Sequence, residues 1–451
     1  MRPKHYIVLA LSLITYCLFA FKFNNRADFT QVFGCFTLLF VGFAYYYKVA
    51  NTKQIIAWGI GIAIVARLLL LPSIPWLSDD FYRFMWDGNL LVNGSNPFLQ
   101  LPTEVELTNV SPQVRERWLA FMNSPNYYTI YPPFLQGVFG LAMWPFGKHE
   151  LGSVAIMRLV IIAFEIGSIF LIKSLLQHFK LPSKNVLLYA LNPLVIVELT
   201  GNLHFEAGMI FFTLLSIYFL VKVSKTNSYL HLLLAAVAMA LAINIKIIPL
   251  IFLPFLIRFL GLKKLMSMSI VIVTVNCLLF LPFYTPELFS NFSKSFTLYF
   301  QTFEFNASIY YVVRWLGFKS VGYNIIGAAG KVLSAVVFIA IMILALHKKW
   351  KLTALPKGFM FALLIYLSLA SIVHPWYIIP LVAFAVFTQY RFAMVWSFLV
   401  VLSYSAYHAT GVNELLWLVA FEYIVVAGWF VWECFLKPKR KKWGNRNCPV
   451  V

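Results

Sequence analysis

Negative charge is scarce in this chain. Its 451 residues carry 36 lysines and arginines against 16 aspartates and glutamates, and only four of the acids are aspartate: Asp28, Asp79, Asp80 and Asp87. Charged residues make up 12 %, where a soluble protein averages about 25 %. That shortage excludes an ordinary set of water-soluble domains. Cysteine is sparse too. Cys17, Cys35, Cys277 and Cys434 lie in or beside apolar runs and Cys448 is near the end, with no Cys-x-x-Cys spacing. Neither a disulfide framework nor a zinc site is indicated. Also missing are Gly-x-x-x-x-Gly-Lys-Ser/Thr, Gly-x-Gly-x-x-Gly, His-Glu-x-x-His and Gly-x-Ser-x-Gly. The chain therefore lacks the usual signatures of nucleotide handling, zinc proteolysis and serine hydrolysis.

Apolar residues are what it has, at 61 %. They recur in runs at 6–22, 31–49, 54–72, 152–172, 185–200, 205–222, 229–244, 246–260, 267–283, 322–346, 358–373, 376–389, 391–409 and 414–435. Many are long enough to cross a hydrocarbon core of about 30 Å as helices. The runs lack the alternating polar residues of a membrane barrel. They predict an all-α, polytopic transmembrane helical bundle of about 12–14 spans. The first run follows a basic start but precedes no small-residue cleavage site, which predicts a retained span. The net charge of +20 is spread over short connections rather than gathered on a domain, so no nucleic acid partner is expected.

Lysine and arginine in short loops set orientation. Lys48/Lys53, Lys173/Lys180/Lys184, Lys222/Lys225, Lys263/Lys264, Lys348/Lys349/Lys351/Lys357, Arg391 and the basic run 437–442 read as cytoplasmic. The opposite connections, including 73–150, 201–204, 284–320, 374–375 and 410–413, then face outward. The 14 apolar residues 133–146 would reverse this pattern if they spanned the membrane, so they predict a helix lying along its outer surface.

A segment as long as 73–150 is functional more often than connective. It opens with Ser78-Asp79-Asp80-Phe81-Tyr82-Arg83-Phe84-Met85-Trp86-Asp87-Gly88, which holds three of the four aspartates. A short helix at 79–91 is predicted there, with Asp80, Arg83 and Asp87 on one face. Its N-terminal dipole favours the first two acids. The tight turn Gly201-Asn202-Leu203-His204-Phe205-Glu206 brings His204 and Glu206 to the same depth, with Glu198 close before it. Asp80 and Glu206 facing each other would hold a divalent cation, Mg2+ or Mn2+, or one acid would act as general base on a hydroxyl. Lys246, Arg67 and His374 are basic groups expected at that level, suited to a lipid-borne phosphate. Arg158 and Glu165, seven apart on one helix face, read as a structural ion pair between helices.

Taken in order, the opening motif, Gly94-Ser95-Asn96-Pro97-Phe98, Tyr131-Pro132-Pro133, Asn192-Pro193, His204-Phe205-Glu206, Lys246-Ile247-Ile248-Pro249 and Pro375-Trp376-Tyr377 resemble the landmarks of the GT-C superfamily of integral-membrane glycosyltransferases. Bacterial mannosyltransferase-like members that use a polyprenyl-phosphate-linked sugar are the nearest likeness. The resemblance covers roughly residues 54–390 and implies spans 6–22 and 31–49 as additions within 1–53. Beyond it, the apolar runs predict C-terminal spans at 391–436 and the basic residues a cytoplasmic tail at 437–451.

The likeness implies a hexosyltransferase of the inner (plasma) membrane, active on its outer side. The donor would be a polyprenyl-phosphate sugar and the acceptor a glycan or lipid. Asp80 or Asp79 would be the catalytic base, with Arg83, Asp87, Tyr131, His204, Glu206, Lys246 and His374 as substrate-binding residues. His204 stands where the superfamily commonly has an acid, so metal dependence stays open. The implied chemistry is an inverting displacement in which the lipid phosphate leaves. A lipid-linked polysaccharide polymerase or ligase is one rival, and a sugar or lipid transporter is the other. The first fits poorly because its large loop comes late in the chain. The second fits poorly because it calls for midplane charges and an internal repeat.

Overall fold

The computed structural model describes residues 3–22, 25–107, 109–147, 149–347, 350–409 and 411–436. Lys348, Lys349, Cys448 and the basic run 437–442 lie outside the described residues. The described chain is helical almost throughout. Among the described residues the only strands form a hairpin, β1 (Tyr407–His408) against β2 (Gly411–Val412).

Helices run in chain order as α1 (Pro3–Phe21), α2 (Phe29–Val49), α3 (Lys53–Leu69), α4 (Asp80–Val92), α5 (Pro112–Phe121), α6 (Pro133–Phe146), α7 (Glu150–His178), α8 (Leu187–Ala190), α9 (Glu206–Thr226) and α10 (Tyr229–Ile245). After them come α11 (Leu253–Leu260), α12 (Leu262–Phe280), α13 (Leu288–Thr302), α14 (Ile309–Val321), α15 (Ile326–His347), α16 (Leu355–Leu369), α17 (Ile379–Ala385), α18 (Phe392–Leu399) and α19 (Leu416–Val431). Eight helical stretches among the described residues are long and apolar enough to cross a membrane, and four shorter apolar helices accompany them. This is the polytopic all-α bundle the apolar runs predict.

Several predicted spans are broken rather than continuous. Residues 185–200 form a 3-10 turn, the one-turn α8 and then a π-helix at Val195–Gly201, interrupted at Asn192-Pro193. Run 246–260 begins as a 3-10 segment at Ile248–Phe252 before α11, and run 376–389 begins as one at Pro375–Ile378 before α17. Pro193, Pro249, Pro254, Pro375 and Pro380 account for the breaks, since proline lacks the N–H that a continuing helix needs. Irregular backbone survives inside a membrane protein only where protein surrounds it. Residues 194–200 are accordingly buried on every side.

Residues 133–146 form α6, which packs along α4 and α7 and leaves Leu141 and Trp144 exposed. The close approach of α4 and α6 depends on Gly88. A Cβ there would lie 2.5 Å from the Phe139 carbonyl oxygen. Rings seal the seam: Phe84 stacks on Phe139 with centroids 4.6 Å apart and planes 10° from parallel.

Two deeply buried arginines have partners that the sequence pattern misassigned. Glu165 does not pair with Arg158. Its carboxylate accepts from Arg67, with Nε at 2.9 Å and Nη2 at 2.7 Å, and from the Thr200 hydroxyl. Arg67 is therefore not a cavity-lining group, and it also donates to the carbonyls of Ala63 and Ala190. Arg158 donates instead to the carbonyls of Thr200 at 2.7 Å, Leu71 at 2.9 Å, Gly201 at 2.9 Å and Ser73. Spacing along α7 puts Arg158 and Glu165 on one face but cannot reveal that helix ends from other segments arrive there first. The exposed carbonyls at the ends of α3 and of the π-helix have no helical partner of their own. A guanidinium with five donors satisfies four carbonyls at once.

Candidate active site

Asp79 and Asp80 open α4. A first-turn aspartate commonly caps its own helix, but Asp79 makes no such side-chain bond. Its carboxylate turns away to Arg26, in the connection between α1 and α2, at 2.5 Å. The Arg26 guanidinium in turn lies 4.6 Å over the ring of Tyr407. Burial pushes the Asp79 carboxyl above its usual range, opposed by Arg26 and reinforced by the charge of Asp80. Asp80 accepts from the Asn123 amide at 2.6 Å.

Arg83 and Asp87 are tied to each other. Arg83 Nε donates to Asp87 at 2.7 Å, and its Nη1 donates to the carbonyls of Ser124 at 3.1 Å and Tyr127 at 2.8 Å. Gln136 of α6 donates to the second Asp87 oxygen at 3.1 Å. The shared face of α4 is thus real, and all three residues on it meet the chain at 123–136. Asp80 keeps solvent access, whereas Arg83 and Asp87 are buried. Tyr131 edges onto Phe84 at 5.0 Å and Phe139 at 5.7 Å, beside Phe205, which makes the same contacts at 5.6 Å.

The turn carrying His204 is held under strain. Leu203 has φ of +61°, a left-handed conformation that a bulky side chain rarely adopts. Arg158 fixes the turn from beneath through Gly201, and the His204 amide donates to Leu199 at 3.2 Å. His204 Nε2 then sits 3.5 Å from Glu198 Oε2. Glu198 also accepts from the Tyr404 hydroxyl at 2.6 Å and from Asn202 at 3.2 Å. His204 stacks on one face of Trp376 at 3.8 Å and His374 on the other at 4.4 Å, with Phe305 closing the pile at 4.8 Å. Both His204 Nε2 and His374 Nδ1 are cut off from water without a hydrogen-bond partner. Burial, with His204 and Lys246 adding to it, pushes the His374 imidazole down to about 3. Lys246 pairs with Glu206 and lies 4.0 Å over the Tyr377 ring.

An unbroken series of contacts therefore runs from Asp79 through Arg26, Tyr407, Tyr404, Glu198, His204, Trp376, His374 and Tyr377 to Lys246 and Glu206. Tyr404 and Tyr407 are neighbours in it at 6.0 Å between ring centroids. Asp80 follows Asp79 directly at the start of α4 and accepts from Asn123. Sequence reasoning did not single out Arg26, Asn123, Tyr404 or Tyr407. Tyr407 lies just before the connection 410–413 assigned to the outward side, and Arg26 lies between the first two apolar runs. Glu206 is engaged by Lys246, and no group of three or more His, Cys, Asp or Glu side chains among the described residues is arranged to hold a metal ion.

The described residues form a multi-pass bundle of membrane-length helices with an acid-rich start to α4, and the family match makes its class a GT-C-type mannosyltransferase. Residues 17–261, more than half of the chain, match the family model described as Alpha-(1->6)-mannopyranosyltransferase, N-terminal domain. The chain belongs to that mannosyltransferase family. The matched segment begins within α1 and takes in α2, Arg26 and all three aspartates of the opening motif. No curated protein matches the chain.

Proposed function

We propose that the protein transfers mannose from a polyprenyl-phosphate carrier to a hydroxyl of a glycan or lipid acceptor at the outer face of the plasma membrane, with inversion. The observation that supports this most is the contact series joining the Asp79–Asp80 pair to Lys246. It joins a proton acceptor and a cation in one polar cluster.

Asp80 is the base. It takes the proton of the acceptor hydroxyl as that oxygen attacks the anomeric carbon. The bond from that carbon to the phosphate oxygen breaks, and polyprenyl phosphate leaves with the electron pair. A phosphate leaving group needs no general acid, so a single carboxylate suffices, unlike the pair used by glycoside hydrolases. Lys246 meets the departing charge. An ammonium has three N–H donors, so it can keep Glu206 and still take a phosphate oxygen. His374, uncharged, adds a neutral hydrogen-bonding edge, and donors already in place at a site of developing charge lower the barrier. Arg83 and Asp87 serve by holding the 123–136 chain against α4. No step needs a metal ion.

Purified protein incubated with a panel of polyprenyl-phosphate sugars, with and without chelator, tests this. Release of free polyprenyl phosphate with one mannose moved per event, undiminished by chelator, supports it. Processive chain growth, or translocation of intact donor without bond cleavage, contradicts it.

A further inference from the structure

We infer that Arg26 is a positioning residue of the transfer site: stacked over Tyr407, it holds the Asp79 carboxylate in an ion pair and so leaves Asp80 as the carboxylate of the two without a cation, available to an acceptor hydroxyl. This rests on the transfer reaction proposed above and assigns its two adjacent acids different tasks.

The geometry around Arg26 is built rather than incidental. Residues 25–28 form a tight turn, in which the Asn25 side chain accepts from the Ala27 amide at 3.0 Å and the Asp28 amide donates to the Asn25 carbonyl at 3.1 Å. Asp28 then caps α2 by accepting from the Gln31 amide at 3.2 Å. A turn closed by its own hydrogen bonds and tied into α2 fixes where the Arg26 side chain starts. From there it ties the entrance of α2 to two points remote in sequence, the entrance of α4 through Asp79 and the hairpin through Tyr407. A guanidinium stacked on an aromatic face while paired to a carboxylate uses both of its recognition modes, which lysine cannot copy in full.

Electrostatics gives the arrangement its purpose. Two neighbouring carboxylates resist being ionised together, and a cation on one of them relieves the repulsion. Arg26 is on Asp79, while Asp80 has only the neutral Asn123 amide. Asp80 thus has no cation across its carboxylate. Loss of Arg26 raises the Asp79 carboxyl further, because it removes the cation that opposes burial there.

The test pairs Arg26→Gln with Arg26→Lys in the full-length protein, with two readouts. The first is kcat against pH with polyprenyl-phosphate mannose as donor. Arg26→Gln should lose at least tenfold in kcat at neutral pH with little change in donor KM, and its acidic limb should move to higher pH. Arg26→Lys should recover part of both. The second readout needs no turnover: carbodiimide labelling of the carboxyls, located by peptide mass spectrometry. Arg26→Gln should raise labelling of Asp79 selectively over Asp80, and Arg26→Lys should restore protection. An unmoved acidic limb, or Asp79 labelling equal in wild type and Arg26→Gln, overturns the assignment. If wild type itself transfers no mannose, the proposed reaction has failed, and labelling still decides whether Arg26 governs Asp79.

Discussion

His204 lies face to face on Trp376, with ring centroids 3.8 Å apart and planes 16° from parallel. The other face of the same indole carries His374 at 4.4 Å and 6°. One tryptophan thereby joins the turn before α9 to the break before α17. Aromatic pairs contribute about 0.5–1.5 kcal/mol beyond their buried area. Trp376→Leu should therefore cut kcat about tenfold and lower the melting temperature, while Trp376→Phe keeps most of both. Steady-state kinetics on the two variants in detergent checks this.

His374 makes stability depend on acid. Its folded value of about 3 lies below the ordinary 6.5. Between those values the unfolded chain binds a proton that the folded protein refuses. Stability therefore rises with pH across that window and is lost as pH falls through it. His374→Gln should flatten the decline. Thermal melts from pH 4 to pH 7 should show a shallower slope for the variant than for wild type. Equal slopes would assign the acid sensitivity elsewhere.

Lys246 and Glu206 are unequally exposed, at 28 % and 6 % for their side chains. Breaking a buried pair costs about 3–5 kcal/mol because one charge stays behind unpaired, and the partial exposure of Lys246 puts Lys246→Met near the low end. Adding Glu206→Gln should recover stability but not donor binding. A double-variant cycle of melting temperature and donor KM separates the two effects.

Gly88 is the structural member of the opening motif. Gly88→Ala places its methyl against the Phe139 backbone, which cannot swing aside as a side chain would. Overpacking of this kind costs about 1–3 kcal/mol. The α4–α6 pair should loosen, read as faster proteolysis of the 93–132 segment with donor affinity retained.

The sequence made the helical class legible because membrane-length apolar runs have few other readings. The acid-rich start of α4 was legible for a related reason: three aspartates stand out in a chain with four. What spacing could not supply was the partner of each charge. Arg67 finds Glu165 across α3 and α7, and Arg26 finds Asp79 across a gap of 53 positions, because the fold packs elements that are distant in sequence against each other. The breaks at Pro193, Pro249 and Pro375 could have been anticipated from proline alone. Apolar content masked them, since a broken buried helix and a continuous span have the same composition.

The most direct test is the rate of mannose transfer from polyprenyl-phosphate mannose by wild type and by Asp80→Asn, with both proteins matched for melting temperature and for binding of the donor. General-base catalysis contributes about 10²–10⁴ in rate. The account predicts a loss of at least a hundredfold in Asp80→Asn with donor binding intact. Turnover within about threefold of wild type would contradict it.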